Sequence, residues 1–452
     1  MKEKVGALAY TVFWTLVGGL SARGVFNMSD SNVGQQGQRQ GLLNPAGLQR
    51  LQDQATARKA WGWATRYGGK AKAGTINFIY GLPFAESFPG AELAGAAESI
   101  LKNQGPEVLQ YGGGKAVKNL KDYLLAYMKE QGVDCGGDEL IALHGASHGI
   151  DLAGKCFLQP GDVVAIEGPT YMEAIEFFDA YQPRYWSVPL DDRGIRTDLL
   201  RDRLERSMAA GERLPKLLYT VPNYQNPTGL SMALERREEL IGLAAEYNFM
   251  IVEDDAYGEL SYDGSSYPSL KALDRDDRVI YLGSFSKTIA PGIRMGWAVG
   301  PAFAIDSFNA LKNDNGTSPI AQSVVWSYLD QHNLTQRIER LREAYAKKRD
   351  VIMGALVEFM PSSVAWTQPE GGFFTWLTLP QEIDTLEMLE DAVEARVSYL
   401  PGYIFYAQDP DRDRGREKRR GSNELRLSYS YLSHEELRQG VERLAAVIRD
   451  SL

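Results

Sequence analysis

From Ile76 onward, short runs rich in β-branched and aromatic residues alternate with longer segments whose apolar positions recur at helical spacing. The pattern predicts strands at 140–143, 163–167, 184–188, 216–221, 250–253, 279–282 and 295–299. It predicts helices between them, among them 115–130, 171–181 and 232–247, the last with a charged outer face. Several of the strands are nearly unbroken apolar runs, as a sheet covered on both faces requires. Strands that alternate with helices imply an α/β fold with a mixed, mostly parallel seven-stranded sheet flanked by helices. After Ser318-Pro319 the texture changes. A long charged helix at 334–359 leads into GGFFTWLTL at 371–379, then 397–400 and 425–430, which reads as a smaller α+β domain. The expected organisation is therefore a large domain at 76–318 and a small one at 319–452, preceded by an arm at 28–75 that packs on the small domain. The dense charge run at 408–423 reads as a solvated loop, or as a segment that shapes the mouth of an active site.

Composition narrows the class. The chain has 452 residues, 44% hydrophobic and 24% charged, which is ordinary for a globular enzyme of two or three domains. A net charge of −10 argues against nucleic acid as the main partner. Two cysteines make no disulfide framework, and the two cysteines and four histidines point to no metal site. Residues 1–27 form an apolar extension with lysines at its start and Ser21-Ala22-Arg23 after the apolar core, the outline of a secretory leader. It is too short and too rich in Gly and Thr for a confident membrane span. The enzyme-like texture of the rest favours a cytoplasmic protein over a secreted one.

The candidate chemistry centres on Gly283-Ser284-Phe285-Ser286-Lys287, with Arg294 seven positions beyond the lysine. An amine held at a strand end among hydroxyl groups, with a fixed cation nearby, suits a carbonyl cofactor that also carries a phosphate. A lone lysine and arginine in a Ser/Gly loop would more often be surface residues, so the neighbouring segments decide. Asn226 sits in an Asn-Pro-Thr-Gly turn after the 216–221 strand, where its side chain can donate to a phenolate oxygen. Glu253-Asp254-Asp255-Ala256-Tyr257 ends a buried strand, and adjacent carboxylates there are costly without a cation. They would equally suit an acidic helix N-cap. His144-Gly145-Ala146-Ser147-His148-Gly149 follows a strand and opens a helix, presenting backbone N–H groups to a phosphate. Tyr171 at the next strand end could stack on an aromatic ring, or simply pack. Arg426 lies in an alternating strand, and an inward guanidinium there would clamp a carboxylate.

Together these motifs resemble the fold-type I pyridoxal-phosphate aminotransferases of class I/II, in the 2-aminoadipate and kynurenine-type subgroup. The resemblance runs from about Ile76 to the C-terminus. It is carried in order by Gly81-Leu82-Pro83, Gln110-Tyr111-Gly112, Gly145–Ser147, Tyr171, NPTG, EDDAY, SFSK with Arg294, and LRLSYS. The resemblance implies an aspartate aminotransferase-like fold, pyridoxal 5′-phosphate as cofactor, and a homodimer with shared active sites. It implies that Lys287 forms the internal aldimine and moves the proton between Cα and C4′. Asp254 would pair the pyridinium nitrogen, Asn226 and Tyr257 would hold the 3′-oxygen, and Tyr171 would stack on the ring. The Ala146 and Ser147 amides with Ser284 and Arg294 would hold the phosphate, and Tyr111 would reach the phosphate of the neighbouring subunit. Gly81, Asn226 and Arg426 would bind substrate. The implied reaction moves an amino group from an L-amino acid of aminoadipate, aromatic or branched type to a 2-oxo acid. Two departures keep open a non-transaminating reaction on the same scaffold, such as cyclisation, β- or γ-substitution or decarboxylation. Gly145-Ala146-Ser147-His148 stands where the family has Gly-Ser-Gln-Gln, and Gly112-Gly113-Gly114 stands where it has proline or Ser/Thr after the tyrosine. A ligand-sensing regulator built on the fold is disfavoured by the negative charge. Lys287→Ala is expected to lose both the visible absorbance of the reconstituted protein and all turnover, as followed by spectrophotometry; retention of both would end the assignment.

Overall fold

Alternate residues of the central strands bury themselves on opposite faces, which explains their unbroken apolar runs. In the computed structural model, which describes residues 74–265 and 267–452, Ile166, Tyr219, Val252 and Leu282 pack one face against the helices Ala146–Phe157 and Met172–Asp179. Ala165, Leu218, Ile251 and Val279 pack the other against Thr197–Ala209 and Leu234–Tyr247. Each fully buried Val, Leu or Ile side chain of this kind contributes about 1.5–3 kcal/mol. The apolar extension at 1–27 and the expected arm up to residue 73 lie outside the described residues.

In chain order the strands are β1 (Ile76–Asn77), β2 (Leu140–Leu143), β3 (Val163–Gly168), β4 (Arg184–Asp191), β5 (Gly194–Ile195), β6 (Pro215–Thr220) and β7 (Met250–Asp254). They continue as β8 (Val279–Ser284), β9 (Gly296–Val299), β10 (Ala365–Trp366), β11 (Phe374–Thr378), β12 (Val397–Ser398), β13 (Leu400–Pro401) and β14 (Glu424–Ser428). The large sheet has the order β2-β9-β8-β7-β6-β3-β4-β5. The pairs from β4 through β3, β6 and β7 to β8 are parallel, and β9 runs antiparallel between β8 and β2. The seven expected strands are all present; an eighth, the two-residue β5, folds back antiparallel on β4 at the edge. Because β3, β6, β7 and β8 run the same way, the turns after Gly168, Thr220, Asp254 and Ser284 open at one edge of the sheet. That edge, outside the carboxyl ends, is where open α/β sheets bind ligands.

A four-stranded antiparallel sheet, β10-β11-β14-β13, forms the C-terminal layer and carries Arg426 opposite Trp376 and Leu400. The stretch expected as one strand at 397–400 divides: β12 pairs in parallel with β1, whereas β13 joins β14. Tyr399 at the division is fully buried and donates its hydroxyl to the Thr385 carbonyl at 2.7 Å. The 408–423 run is not a plain solvated loop. Asp409 is completely buried, accepts a bidentate pair from Arg203 at 2.6 and 3.1 Å, and takes the Ser187 N–H at 2.8 Å. Arg420 closes the other end onto Ser187 Oγ at 2.6 Å, leaving 410–411 and 414–419 exposed between. The three glycines at 112–114 also carry more than flexibility. All have positive φ, and a Cβ on Gly113 would meet Val117 and Pro319 side-chain atoms at 2.4 and 2.6 Å, so the run is required by this turn. No helix among the described residues is long and apolar enough to cross a membrane.

One buried cation pins the turn that holds Asn226. Arg237 is wholly buried and donates to the carbonyls of Met232, Pro268 and Pro222 at 2.9, 3.0 and 3.1 Å, and to Asn223 Oδ1 at 2.6 Å. Arg237→Met removes four donated hydrogen bonds from this turn, of whose acceptors the Pro222 carbonyl keeps the Met232 N–H, and the expected loss is about 3 kcal/mol, read as a lowered denaturation midpoint. An unchanged midpoint would show that the turn holds itself.

Candidate active site

The turn after β8 presents Lys287. Ser284 at the strand end donates to Ser286 Oγ at 2.9 Å and accepts the Ser286 N–H at 3.1 Å, which curls the chain back on itself. Lys287 Nζ donates to the Gly81 carbonyl at 2.9 Å and lies 5.7 and 5.5 Å from the Tyr257 and Phe373 ring centroids. The residue as a whole is half-buried, but its amine end is enclosed. Burial lowers its pKa to about 8; Glu173 opposes the shift, Arg426 adds to it, Asp254 opposes it, and Arg294 makes the smallest of these contributions. Arg294, the fixed cation that the sequence places near the lysine, thus acts less on the amine than burial or Arg426. At pH 7 a group of pKa about 8 is neutral about one time in ten, against about one in three thousand for an ordinary lysine.

Three consecutive acidic residues at the end of β7 take three directions. Glu253 accepts the backbone N–H groups of Leu270 and Lys271 at 2.8 and 2.9 Å and is countered by Arg237. Asp255 accepts from Asn223 Nδ2 at 2.8 Å and the Tyr281 hydroxyl at 3.0 Å. Asp254 accepts the Tyr219 hydroxyl on Oδ2 at 2.7 Å, while its Oδ1 is buried with no hydrogen-bond partner among the described residues. Burial raises the Asp254 pKa to about 6, with the Tyr219 hydrogen bond pulling the other way and Lys287 among the lesser influences. A buried carboxylate oxygen left without a donor is chemically suited to accept from a protonated ring nitrogen.

Arg426 supplies a second open atom. From the middle of β14 it donates to Asn226 Oδ1 at 2.7 Å and to the Ile79 carbonyl, with its guanidinium 4.3 Å from the Phe374 ring and 5.0 Å from the Phe405 ring. Its Nε is buried without a partner. Burial lowers its pKa to about 10, so it stays cationic at neutral pH. With its oxygen engaged, Asn226 has its NH2 to offer. Gly81 is held against this group: a Cβ there would come 2.4 Å from Phe374 Cζ. Tyr257 is buried edge-on to Phe373 and Phe374, and burial raises its pKa. Tyr171 precedes the helix Met172–Asp179 and hydrogen-bonds the Glu173 carboxylate.

The expected phosphate turn is built tightly. The helix Ala146–Phe157 begins directly after Gly145, whose φ is +83°, so the Ala146 and Ser147 N–H groups stand at an open helix N-terminus. Arg294 donates to the His144 carbonyl at 3.0 Å and is exposed in the single chain. A Cβ on Gly296 would lie 2.7–2.9 Å from Gly283 O, Gly145 C and Ala146 N, so β9 brings the Ser284 strand and the helix start together only because residue 296 has no side chain. His148 stacks on His144 at 5.6 Å, and His144 Nε2 lies 3.1 Å from Asp314 Oδ2. Among the described residues no group of three or more side chains could hold a metal ion. Tyr111 stands apart from all of these, 83% exposed.

Sequence reasoning missed Tyr219, Glu167, Gln225 and Glu173. Glu167 is buried at the end of β3 and takes Thr220 Oγ1, the Val221 N–H at 3.2 Å and Gln225 Nε2 at 2.8 Å, which props the Asn226 turn. A polar side chain inside an otherwise apolar strand was the available signal. A separate cavity of about 400 Å³ is lined by Asp255, Tyr281 and Glu259 and by none of Lys287, Asp254 and Arg426, so it lies beside this constellation rather than in it. The residues present fit pyridoxal 5′-phosphate: an amine for the carbonyl, an open carboxylate oxygen for the ring nitrogen, and N–H and hydroxyl groups for the phosphate. Because Asp254 has a folded pKa of about 6 against an ordinary 3.8, its neutral form favours the folded state, and that stability is lost as pH rises from about 4 through 6. Asp254→Asn removes the titration. Thermal melts of cofactor-free protein should therefore fall less over that range in the variant than in the wild type, and equal slopes would refute the shift.

Comparison with known proteins agrees. Residues 85–444 match the family model described as "Aminotransferase class I and II". The chain is 38% identical over 380 residues to aromatic-amino-acid aminotransferase 1 of Thermococcus litoralis, spanning 83% of this chain and 88% of that one. It is 34% identical over 386 residues to the 2-aminoadipate transaminase of Thermus thermophilus, spanning 84% and 92%. The crystal structure of a multiple substrate aminotransferase from Thermococcus profundus superposes with a TM-score of 0.83 at 36% identity, covering 91% of this chain and 98% of that one. The chain belongs to the class I and II aminotransferases and is a pyridoxal-phosphate-dependent transferase acting on amino acids and 2-oxo acids.

Proposed function

We propose that the enzyme moves the amino group of aromatic, 2-aminoadipate-type or branched L-amino acids to a 2-oxo acid, with Lys287 as the residue that carries cofactor and proton. The observation that carries this reading is the enclosed Lys287 amine in a site where Asp254 Oδ1 and Arg426 Nε are buried with no hydrogen-bond partner among the described residues. Pyridoxal 5′-phosphate, when bound, supplies the carbonyl that takes the amino group and a ring that accepts the charge released at Cα. Asp254 then holds a proton at the ring nitrogen, and Asn226 and Tyr257 offer donors to the 3′-oxygen. Ser284, Arg294 and the Ala146 and Ser147 amides hold the phosphate, and Tyr171 covers the ring. Arg426, lodged between Phe374 and Phe405, orients the α-carboxylate. Lys287, lowered toward neutrality by its enclosure, takes and returns the Cα proton.

The donor range is supported by similarity to an aromatic-amino-acid and a 2-aminoadipate enzyme. Two further features follow. The exposure of Tyr111 supports a homodimer in which it completes the phosphate site of the other copy. The two sheets support two lobes, 76–318 and 319–452, that enclose the substrate between them. A screen of amino donors with 2-oxoglutarate as acceptor tests the proposal. Aromatic, 2-aminoadipate-type and branched amino acids should yield their 2-oxo acids and glutamate, and failure of all three groups while another class turns over would refute the donor range.

A further inference from the structure

The pairing of the large sheet gives Asp254 its hydrogen-bond donor. On β6, Tyr219 lies directly beside Val252 of β7 and Ile166 of β3. Asp254 comes two residues after Val252, so it shares that face of β7 and stands one diagonal step from Tyr219. A tyrosine side chain spans such a step, and its hydroxyl donates to Asp254 Oδ2 at 2.7 Å. The Tyr219 ring is fully buried and packs edge-on against Phe178 of the helix Met172–Asp179, with centroids 6.0 Å apart. Sheet and helix therefore fix the ring, and the carboxylate takes its place from the hydroxyl.

Asp254 is buried, and among the described residues no second hydrogen-bond donor reaches its carboxylate; Oδ1 has no partner at all. A donor to a carboxylate favours the ionised form, whereas burial favours the neutral one. Asp255, beside it on β7, also opposes ionisation, and Lys287 from the turn after β8 supports it. Glu167 of β3, Tyr171 and Tyr257 are the other titratable groups that feel its charge. Burial and the Asp254 charge raise the Tyr219 pKa well above its usual value, so the hydroxyl keeps its proton and remains a donor. A neutral carboxyl would have no charge with which to hold a proton on a pyridine nitrogen.

We propose that Tyr219 is a positioning residue for the contact between Asp254 and the ring nitrogen of the cofactor. Its hydroxyl occupies Oδ2 and steadies the anion, which leaves Oδ1 as the oxygen that accepts from that nitrogen. The inference rests on the reading that Asp254 pairs the ring nitrogen.

The test compares two ligands on the full-length protein freed of cofactor: pyridoxal 5′-phosphate and its deaza analogue, in which a C–H group replaces the ring nitrogen. Dissociation constants are read from the change in ligand absorbance. The wild type should bind the natural cofactor more tightly than the analogue. Tyr219→Phe keeps the ring and removes the hydroxyl alone, so its affinity for pyridoxal 5′-phosphate should fall about tenfold. Its affinity for the analogue, which has no nitrogen to pair, should stay near that of the wild type. An unchanged affinity for the cofactor, or an equal fall for both ligands, would overturn the proposal; the equal fall would show that Tyr219 only shapes the pocket. If Tyr219→Phe does not fold, Tyr219→Met lacks the same hydroxyl, and the absence of a selective fall there would overturn the proposal equally. Wild-type protein that binds both ligands alike would instead defeat the pairing of Asp254 with the ring nitrogen, so the two failures are distinguishable.

Discussion

The enclosure of charge at the carboxyl edge of a parallel sheet governs this molecule. Four neighbouring strands deliver their ends to one place, and each brings a polar group that the sheet interior would reject. Glu167 is the last but one residue of β3, while Thr220 ends β6, Asp254 ends β7 and Ser284 ends β8. Their costs are met by different partners. Glu167 is met by Gln225 and the Val221 N–H, and Glu253 by two backbone N–H groups with Arg237. Asp254 is met only halfway, by Tyr219. The unmet half, with the unmet Nε of Arg426, is what the proposed ligand contacts would satisfy.

The same enclosure sets the chemistry. A lysine in water is almost always charged at neutral pH and makes a poor base. Burial alone would overcorrect, and the surrounding charges trim the effect. Arg426 and Arg294 push the amine toward neutrality, while Glu173 and Asp254 pull it back. The outcome, a pKa of about 8, leaves both protonation states accessible, as the proposed role of taking and returning one proton requires. Arg426 tolerates comparable burial because guanidinium starts from a far higher pKa and is held between two aromatic faces.

The C-terminal layer is fastened to the large sheet by ionic contacts as well as by packing. Asp409 reaches across to Arg203 and the Ser187 N–H, and Arg420 returns to Ser187 Oγ. Phe405, next to this junction, both flanks Arg426 and accepts the Thr170 N–H. The segment before Tyr171 and Arg426, the proposed carboxylate-binding residue, therefore share one support. What reads in sequence as a run of surface charge is, at its two ends, part of what anchors the C-terminal layer to the large sheet.

The chain alone determined the alternation of buried strands and helices, because burial on two faces leaves an unbroken apolar run that needs no partner to be recognised. It also marked Lys287, Asn226, Asp254 and Arg426, since a polar residue at the end of such a run has a cost that stands out in one dimension. It could not show that β5, only two residues long, extends the sheet by folding back on β4, or that 397–400 divides between two pairings, one of them with β1 at the far end of the described chain. Nor could it assign the three directions taken by Glu253, Asp254 and Asp255, or select Glu173 from the acids of an ordinary helix turn. Those depend on which groups the folded sheet sets face to face, and electrostatics in an enclosed site follows distance in space rather than separation along the chain.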